Sequence, residues 1–264
     1  MLKIINYEVE SNTDLLIVHI SDIHYSNHYG NRLKKVINEL KKAKPDYICI
    51  TGDTIDNLGV TKKKAMSEIT NYLDELSKIS KVIMCLGNHD TRDYKGMKDN
   101  KWYEKLNKDI IVLNNTYYED DNICFYGLTI DDEYYHHEKD GVNELTEELS
   151  KIKLSNKYNI LLFHSPVNFE KEEVARINKF DLVLVGHTHN GLTHHIVPGN
   201  FGLVAPSHGF YLKNARYSFK SGKSKVIISG GVTKLSVGTG MFHIFNVLFT
   251  SDLNYIYLKK DKKS

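Results

Sequence analysis

The chain has 264 residues, 26% of them charged and 41% hydrophobic, with a formal net charge of +2 at neutral pH. That is the balance of a globular protein able to bury a large core, and it excludes several classes. Acidic and basic residues interleave, so there is no clear nucleic-acid footprint, and the Lys-rich end "LKKDKKS" reads as a solvated tail. No stretch approaches a membrane span: the most apolar late segment, "MFHIFNVLF", is short and carries His243 and Asn246.

Cys49, Cys85 and Cys124 each lie inside an apolar run, which is the pattern of small buried core residues in a reducing compartment. "MLKIINYEVESNTD" holds no apolar h-region of useful length, and the expected location is therefore cytoplasmic.

In chain order, the first half alternates. "DLLIVHI" is a strand, and "RLKKVINELKKA" has helical periodicity and stops at Lys44-Pro45. "YICI" is the next strand, followed by the loop "TGDTIDNLG". The helix "TKKKAMSEITNYLDELSKI" then places Met66, Ile69, Leu73 and Leu76 on one face. "KVIMCL" is the third strand, closed by "GNHD". Strand–loop–helix repeated in this way predicts βαβ units around a parallel sheet.

The middle departs from this pattern. "DIIVLNNTYYEDDNICFYGLTI" reads as two strands around a polar turn, without a helix between them. "VNELTEELSKIKL" and "EKEEVARIN" are helical, "YNILLFHSP" and "DLVLVGHTHN" are strands. From Leu192 onward short β-like runs dominate: "THHIVP", "GLVAPS", "KVIISGG" and "LNYIYLK". No repeat, linker or break divides the chain, and residues 1–264 read as one domain with two sheets face to face and helices outside.

The residues directly after each apolar run carry the most information. Asp22 and His24 come after the first, Asp53 and Asp56 after the second, and Asn88, His89 and Asp90 after the third; later strands end at His164 and at His187 and His189. Any one of these has an ordinary reading as a turn or capping residue. Together they do not, because five strand ends carry Asp, Asn and His in their first turn, and open α/β sheets place ligands outside the carboxyl ends of their strands.

Imidazole mixed with carboxylate suits Zn, Fe, Mn or Ni, whereas Mg or Ca would favour oxygen alone. No Cys joins the set, which argues against a structural zinc site. So many side chains are too many for one ion and natural for two that share a carboxylate. Two ions about 3.5–4 Å apart form a clamp for in-line attack on phosphorus.

The blocks "DIH", "GDTID", "GNHD", a lone His164 and "GHTH", in that order, resemble the calcineurin-like metallophosphoesterase superfamily, and within it the bacterial dinuclear phosphodiesterase-type branch associated with membrane lipids and cell wall. The resemblance implies a four-layer α/β/β/α sandwich of two mixed sheets, and an enzyme that hydrolyses phosphoesters with two divalent transition-metal ions (Mn, Fe, Zn or Ni). Carried over by position, one ion is held by Asp22, His24, Asp53 and His189. The other is held by Asp53, Asn88 through its amide oxygen, His164 and His187.

In that scheme Thr188 points away from the ions and a metal-bridging hydroxide attacks. His89 assists the leaving group and is oriented by Asp56, while Asp90 supports the loop. The branch implies a phosphodiester or pyrophosphate substrate, lipid-linked or met at a membrane surface. After the second His of "GHTH" the branch has Gly-Gly-Gln where this chain has Asn190, Gly191 and Leu192, a departure that bears on substrate recognition.

His19 is expected in the core, His28, His136, His137 and His243 at the surface. His194, His195, His208, Tyr134 and Tyr135 are candidates for the cleft rim. Two rivals stand beside the phosphohydrolase: a scaffold module of the same fold, which would lack several ligands, and a nuclease, which would want clustered arginines where only Arg32, Arg92, Arg176 and Arg216 occur.

Overall fold

Alternation of side chains across buried strands decides the architecture. The computed structural model describes residues 2–25, 30–55, 63–91, 101–130, 135, 141–192, 199–205, 209–233 and 251–260. The chain opens with β1 (Leu2–Ser11) and β2 (Leu15–Ile20), then α1 (Gly30–Ala43), β3 (Tyr47–Thr51), α2 (Lys63–Ser77), β4 (Lys81–Cys85) and the single turn α3 (Asn88–Thr91). The middle holds β5 (Ile110–Val112), β6 (Thr116–Glu119), β7 (Ile123–Leu128), α4 (Gly141–Lys151), β8 (Tyr158–Phe163), α5 (Glu172–Ile177) and β9 (Leu182–Val185). Last come β10 (Gly202–Ala205), β11 (Gly209–Leu212), β12 (Tyr217–Ser221), β13 (Ser224–Ile228) and β14 (Ser251–Lys260).

Two six-stranded sheets form, in the orders β1-β14-β2-β3-β4-β5 and β12-β13-β9-β8-β7-β6, beside a separate β10–β11 hairpin. Both sheets are mixed. β2, β3, β4 and β5 run parallel, with β14 antiparallel to β2; β13, β9, β8 and β7 run parallel, with β12 and β6 antiparallel at the edges.

In β2, β3 and β4, Ile17, Cys49 and Ile83 face the second sheet, while Val18, Ile48 and Val82 face Leu33, Val36 and Leu40 of α1 and Ile69, Leu73 and Leu76 of α2. The second sheet repeats this: Phe125, Ile160 and Leu184 look inward, and Tyr126, Leu161 and Val183 look outward onto Leu145, Leu149 and Val174 of α4 and α5. Three apolar layers between four structural layers make the α/β/β/α sandwich, which explains why these strands read as continuous hydrophobic runs. Cys49, Cys85 and Cys124 are buried free thiols, and His19 is buried between the sheets, as expected.

α1 ends where Lys44 enters the left-handed region (φ 49) and donates its N–H to Leu40 O at 2.9 Å, just before Pro45. The segment 109–130 differs from its reading as two strands. It contains three, because Asn115 takes a left-handed φ of 52 and its Oδ1 accepts from Thr129 N at 2.7 Å. The chain changes sheets at this kink: β5 completes the first and β6 and β7 begin the second. β1, β11 and β12 also lie in segments not read as strands. No helix among the described residues is long and apolar enough to cross a membrane.

Leu162 is fully buried between the sheets, whereas Leu203 is 40% exposed. Leu162→Ala should cost about 2–5 kcal/mol in chemical denaturation, and Leu203→Ala about 0.5 kcal/mol or less. Equal costs would show that the inter-sheet layer is not the main core.

Candidate metal centre

The parallel strands of both sheets end at one rim, and the loops leaving them meet there. Asp22 and His24 follow β2, Asp53 follows β3, Asn88 and His89 follow β4, His164 follows β8, and His187 and His189 follow β9. Backbone bonds lock neighbouring loops together: Asp22 N donates to Gly52 O at 3.1 Å, His24 N to Asp53 O at 2.8 Å, and Gly186 N to His164 O at 2.7 Å. Other bonds span the sheets. His187 N donates to Asp22 Oδ2 at 3.0 Å, and His164 Nδ1 donates to Thr51 O at 2.7 Å.

This packing needs unusual backbone. Asp22, His24, Asp53, His187 and His189 all sit at positive φ, between 41 and 68. Each such residue costs on the order of 1 kcal/mol or more, so the turns are held by their surroundings rather than by preference. Gly52 and Gly186 let the loops approach. A Cβ on Gly52 would lie 2.5 Å from Gly87 N, and one on Gly186 would lie 1.8 Å from Ser21 Oγ and 2.5 Å from Asp22 Oδ2.

The side chains converge in two overlapping groups. In one, His189 Nε2 is 3.3 Å from Asp22 Oδ1 and His24 Nε2 is 3.3 Å from His189 Nε2. In the other, His164 Nε2 is 3.1 Å from Asp53 Oδ2 and 3.0 Å from His187 Nδ1. Asp53 Oδ2 also lies 3.5 Å from His24 Nε2, which puts this carboxylate between the groups. Ligand atoms of Asp22, His24 and His189, of Asp53, His164 and His187, and of His24, Asp53 and His89 lie within 4.8 Å of one another in each set.

The donor set fits divalent cations. Buried ring nitrogens aimed at each other at about 3 Å need a proton or a cation between them, and Asn88 Oδ1 and Asp22 Oδ1 are buried without accepting a hydrogen bond from the described residues. His164 gives its Nδ1 proton to a carbonyl, which leaves Nε2 for a metal.

The electrostatics agree. Burial alone would raise the Asp22 and Asp53 carboxyls, yet His189 beside Asp22 and His164 beside Asp53 hold both below the usual range. Burial lowers His189 to about 4, so its ring is neutral at physiological pH and ready to bind. Burial would also lower His164, but the Asp53 carboxylate outweighs it and brings the imidazole up to about 9.

His89 differs in its exposure from the other ligand candidates around it. It is only half-buried, its ring stands edge-on to His24 with centroids 4.8 Å apart, and its backbone N–H donates to Asp53 Oδ1 at 2.8 Å. Asp90 accepts N–H bonds from Thr54, Ile55 and Gly87, which ties the β3 and β4 loops together; burial and then the charge of Asp53 push its carboxyl up to about 7. Thr188 Oγ1 turns away to donate to Ala215 O at 2.6 Å.

Tyr135 is buried beside the second group, with its ring 5.8 Å from that of His164 and 5.2 Å from that of His187. Asp56, Tyr134, His28, His136, His137, His194, His195, His208 and His243 lie outside the described residues. The sequence pattern missed the polar residues behind the site: Ser21, Thr233, whose Oγ1 donates to Asp22 O at 2.9 Å, and Asp252. Ser21 directly precedes the "DIH" block, whereas Thr233 and Asp252 stand in no motif.

With loops this tightly packed, Gly186→Ala should displace Asp22 and weaken Mn²⁺ binding at least tenfold in calorimetry, a clash-driven loss that leaves the distant strand core folded by circular dichroism. A metal bound at His164 would displace its proton, so uptake of Mn²⁺ at pH 7 should release protons, and affinity should rise from pH 6 toward pH 9. Calorimetry in buffers of different ionisation heat measures this; no proton release would show that His164 is already neutral or is no ligand.

Comparison with known proteins shows the family. Residues 15–191 match the calcineurin-like phosphoesterase family, a span that contains all of the ligand candidates. An uncharacterized metallophosphoesterase of Campylobacter jejuni is 29% identical over 83% of this chain and 54% of its own length. One of Aquifex aeolicus is 29% identical over 72% of this chain and 71% of its own. The chain thus spans about half the length of the Campylobacter relative. Among solved structures, TT1561 of Thermus thermophilus superposes with a TM-score of 0.50 at 15% identity, over 84% of this chain and 92% of that one, a likeness of fold. The chain belongs to the calcineurin-like phosphoesterase family.

Proposed function

We propose that the chain is a dinuclear metal-dependent phosphohydrolase acting on phosphodiester or pyrophosphate bonds. The observation that carries this reading is the position of Asp53. One carboxylate lies within reach of two histidine groups, 3.1 Å from His164 Nε2 and 3.5 Å from His24 Nε2, where it can serve two ions at once. Asp22, His24 and His189 complete one ligand set with Asp53; Asn88, His164 and His187 complete the other. When bound, two such cations supply Lewis acidity toward phosphoryl oxygens and a nucleophile at neutral pH.

The protein's own groups do the rest. Asp22 and Asp53 bring two negative charges to offset the repulsion between close cations. The ligand candidates are buried away from bulk water, while His89 is only half-buried. In this reading His89 hydrogen-bonds a phosphoryl oxygen and gives a proton to the departing alkoxide, a role that its partial exposure beside His24 supports. The full complement of ligands and His89 favours an enzyme over a scaffold. A lipid-linked substrate remains part of the proposal through the resemblance of the motif set to its bacterial branch.

Asp53→Asn keeps the shape but removes the charge and one metal-binding oxygen. Elemental analysis should find clearly fewer than two ions per chain, and hydrolysis of a generic diester under Mn²⁺ should collapse. His89→Asn should keep both ions and lose ~10²–10⁴-fold in turnover. Two ions and substantial activity in Asp53→Asn would refute the shared-carboxylate reading. Loss of metal in His89→Asn would make His89 a ligand, and a wild-type protein that binds no ion and hydrolyses nothing would be a scaffold.

A further inference from the structure

β14 carries none of the proposed ligands, yet its first residues reach the metal rim. The reason is direction. β14 runs antiparallel to β2, with Asn254 opposite His19, so the beginning of β14 lies where β2 ends. Asp252 stands there, 1% exposed. Burial pushes its carboxyl up to about 6, against three hydrogen bonds that hold it down. Oδ2 accepts from Asn190 Nδ2 at 2.8 Å, and Oδ1 accepts from Gly230 N at 3.0 Å and Ser229 Oγ at 3.2 Å.

Both ends of this clamp bear on one ligand group. Asn190 directly follows His189, and the two are consecutive left-handed residues with φ 47 and 56, a conformation that needs outside support. Gly230 belongs to the turn 229–233, which is wedged against the β2 loop. Val232 N donates to Ser21 O at 3.1 Å, and Thr233 Oγ1 donates to Asp22 O at 2.9 Å and Ile23 O at 2.7 Å. A Cβ on Gly231 would sit 2.8 Å from Asp22 Cβ and 3.5 Å from His189 Nδ1, so this turn is the wall on which both ligands rest. Asp252 N donates to Gly231 O at 3.1 Å and closes the arrangement from the backbone side.

We infer that Asp252 is a positioning residue for the ion held by Asp22, His24 and His189, acting through Asn190 and the 229–231 turn. It touches neither metal nor substrate. It lies outside residues 15–191, the span that matches the family. The inference rests on the two-ion reading and adds that the two ions depend on different parts of the chain. The group of Asp53, His164 and His187 is anchored mainly by Thr51 and the loops of the strands themselves, with His187 N also donating to Asp22 Oδ2 at 3.0 Å.

The test is Mn²⁺ calorimetry on the full chain, with thermal melting of the metal-free protein alongside. Asp252→Asn puts an NH₂ among three donors, and Asn190→Ala breaks the same link from the other end without touching the sheet. Each should weaken one of the two ions by ~10–100-fold and leave the other unchanged. His189→Ala identifies the affected ion: in that background Asp252→Asn should have no further effect on the remaining ion, whereas in a His164→Ala background it should still weaken the ion that is left.

If both ions keep their affinity while the melting temperature falls, Asp252 only stabilises the fold and the inference is overturned. Equal weakening of both ions also overturns it. Should Asp252→Asn fail to fold, Asn190→Ala decides by the same criteria. A wild-type chain that takes up one ion defeats the two-ion reading alone; Asp252 then stands if Asp252→Asn weakens that ion and falls if it does not. Uptake of no ion by the wild type overturns both.

Discussion

The burial of two carboxylates, Asp22 and Asp53, at the seam between the sheets is the constraint on which the rest of the site depends. Both are at most 1% exposed, and an uncompensated buried charge costs several kcal/mol. Compensation comes from opposite sides of the molecule. His187 and His89 give backbone N–H groups to Asp22 and Asp53, and the imidazoles of His189, His24 and His164 crowd their remaining oxygens. No single sheet could supply this, since Asp22 and Asp53 stand on the first while His164, His187 and His189 stand on the second. The sandwich therefore does chemical work by aligning the carboxyl ends of two parallel strand sets at one rim.

Holding those groups together also strains the backbone. The loops are short, and a turn that begins directly at a strand end reaches its neighbour only through left-handed residues or glycine. Five ligand candidates accept that conformation. What resists the strain is the three-layer apolar packing beneath, in which β2, β3, β8 and β9 are buried on both faces. The site is consequently well packed around its ligand candidates. Its less enclosed member is His89, the residue whose proposed task needs access to substrate.

Much of this was legible in the sequence, and the reason is physical. Strands buried on both faces must be apolar throughout, so β2, β3, β4, β8 and β9 stand out, and the polar residue that ends each run is conspicuous against it. β1 was not legible: it is an edge strand with exposed residues along its length, and it owes its existence to parallel pairing with β14, from Leu2↔Ser251 to Ser11↔Lys260. The break between β5 and β6 was hidden for a related reason. Asn114–Asn115 looks like any polar turn, and only the tertiary structure shows that the chain changes sheets there. Asp252 had no local signal at all, because its partners Asn190 and Gly230 come from other elements.

The last third of the chain is therefore more than an extension of the part that matches the family. β13 pairs with β9 in parallel, with Ile228 opposite Val185, so the turn after β13 leaves its sheet alongside "GHTH". β14 pairs with β2 in the opposite sense and inserts between β1 and β2, which brings its first residues to the same rim. One strand arrives at the rim by ending there and the other by starting there. Between them they form a wall, residues 229–233 with Asp252 behind it, that closes the side of the site where Asp22 and His189 lie. The ligand candidates come from the strands that a motif can reveal, and their placement depends on strands that only pairing direction can.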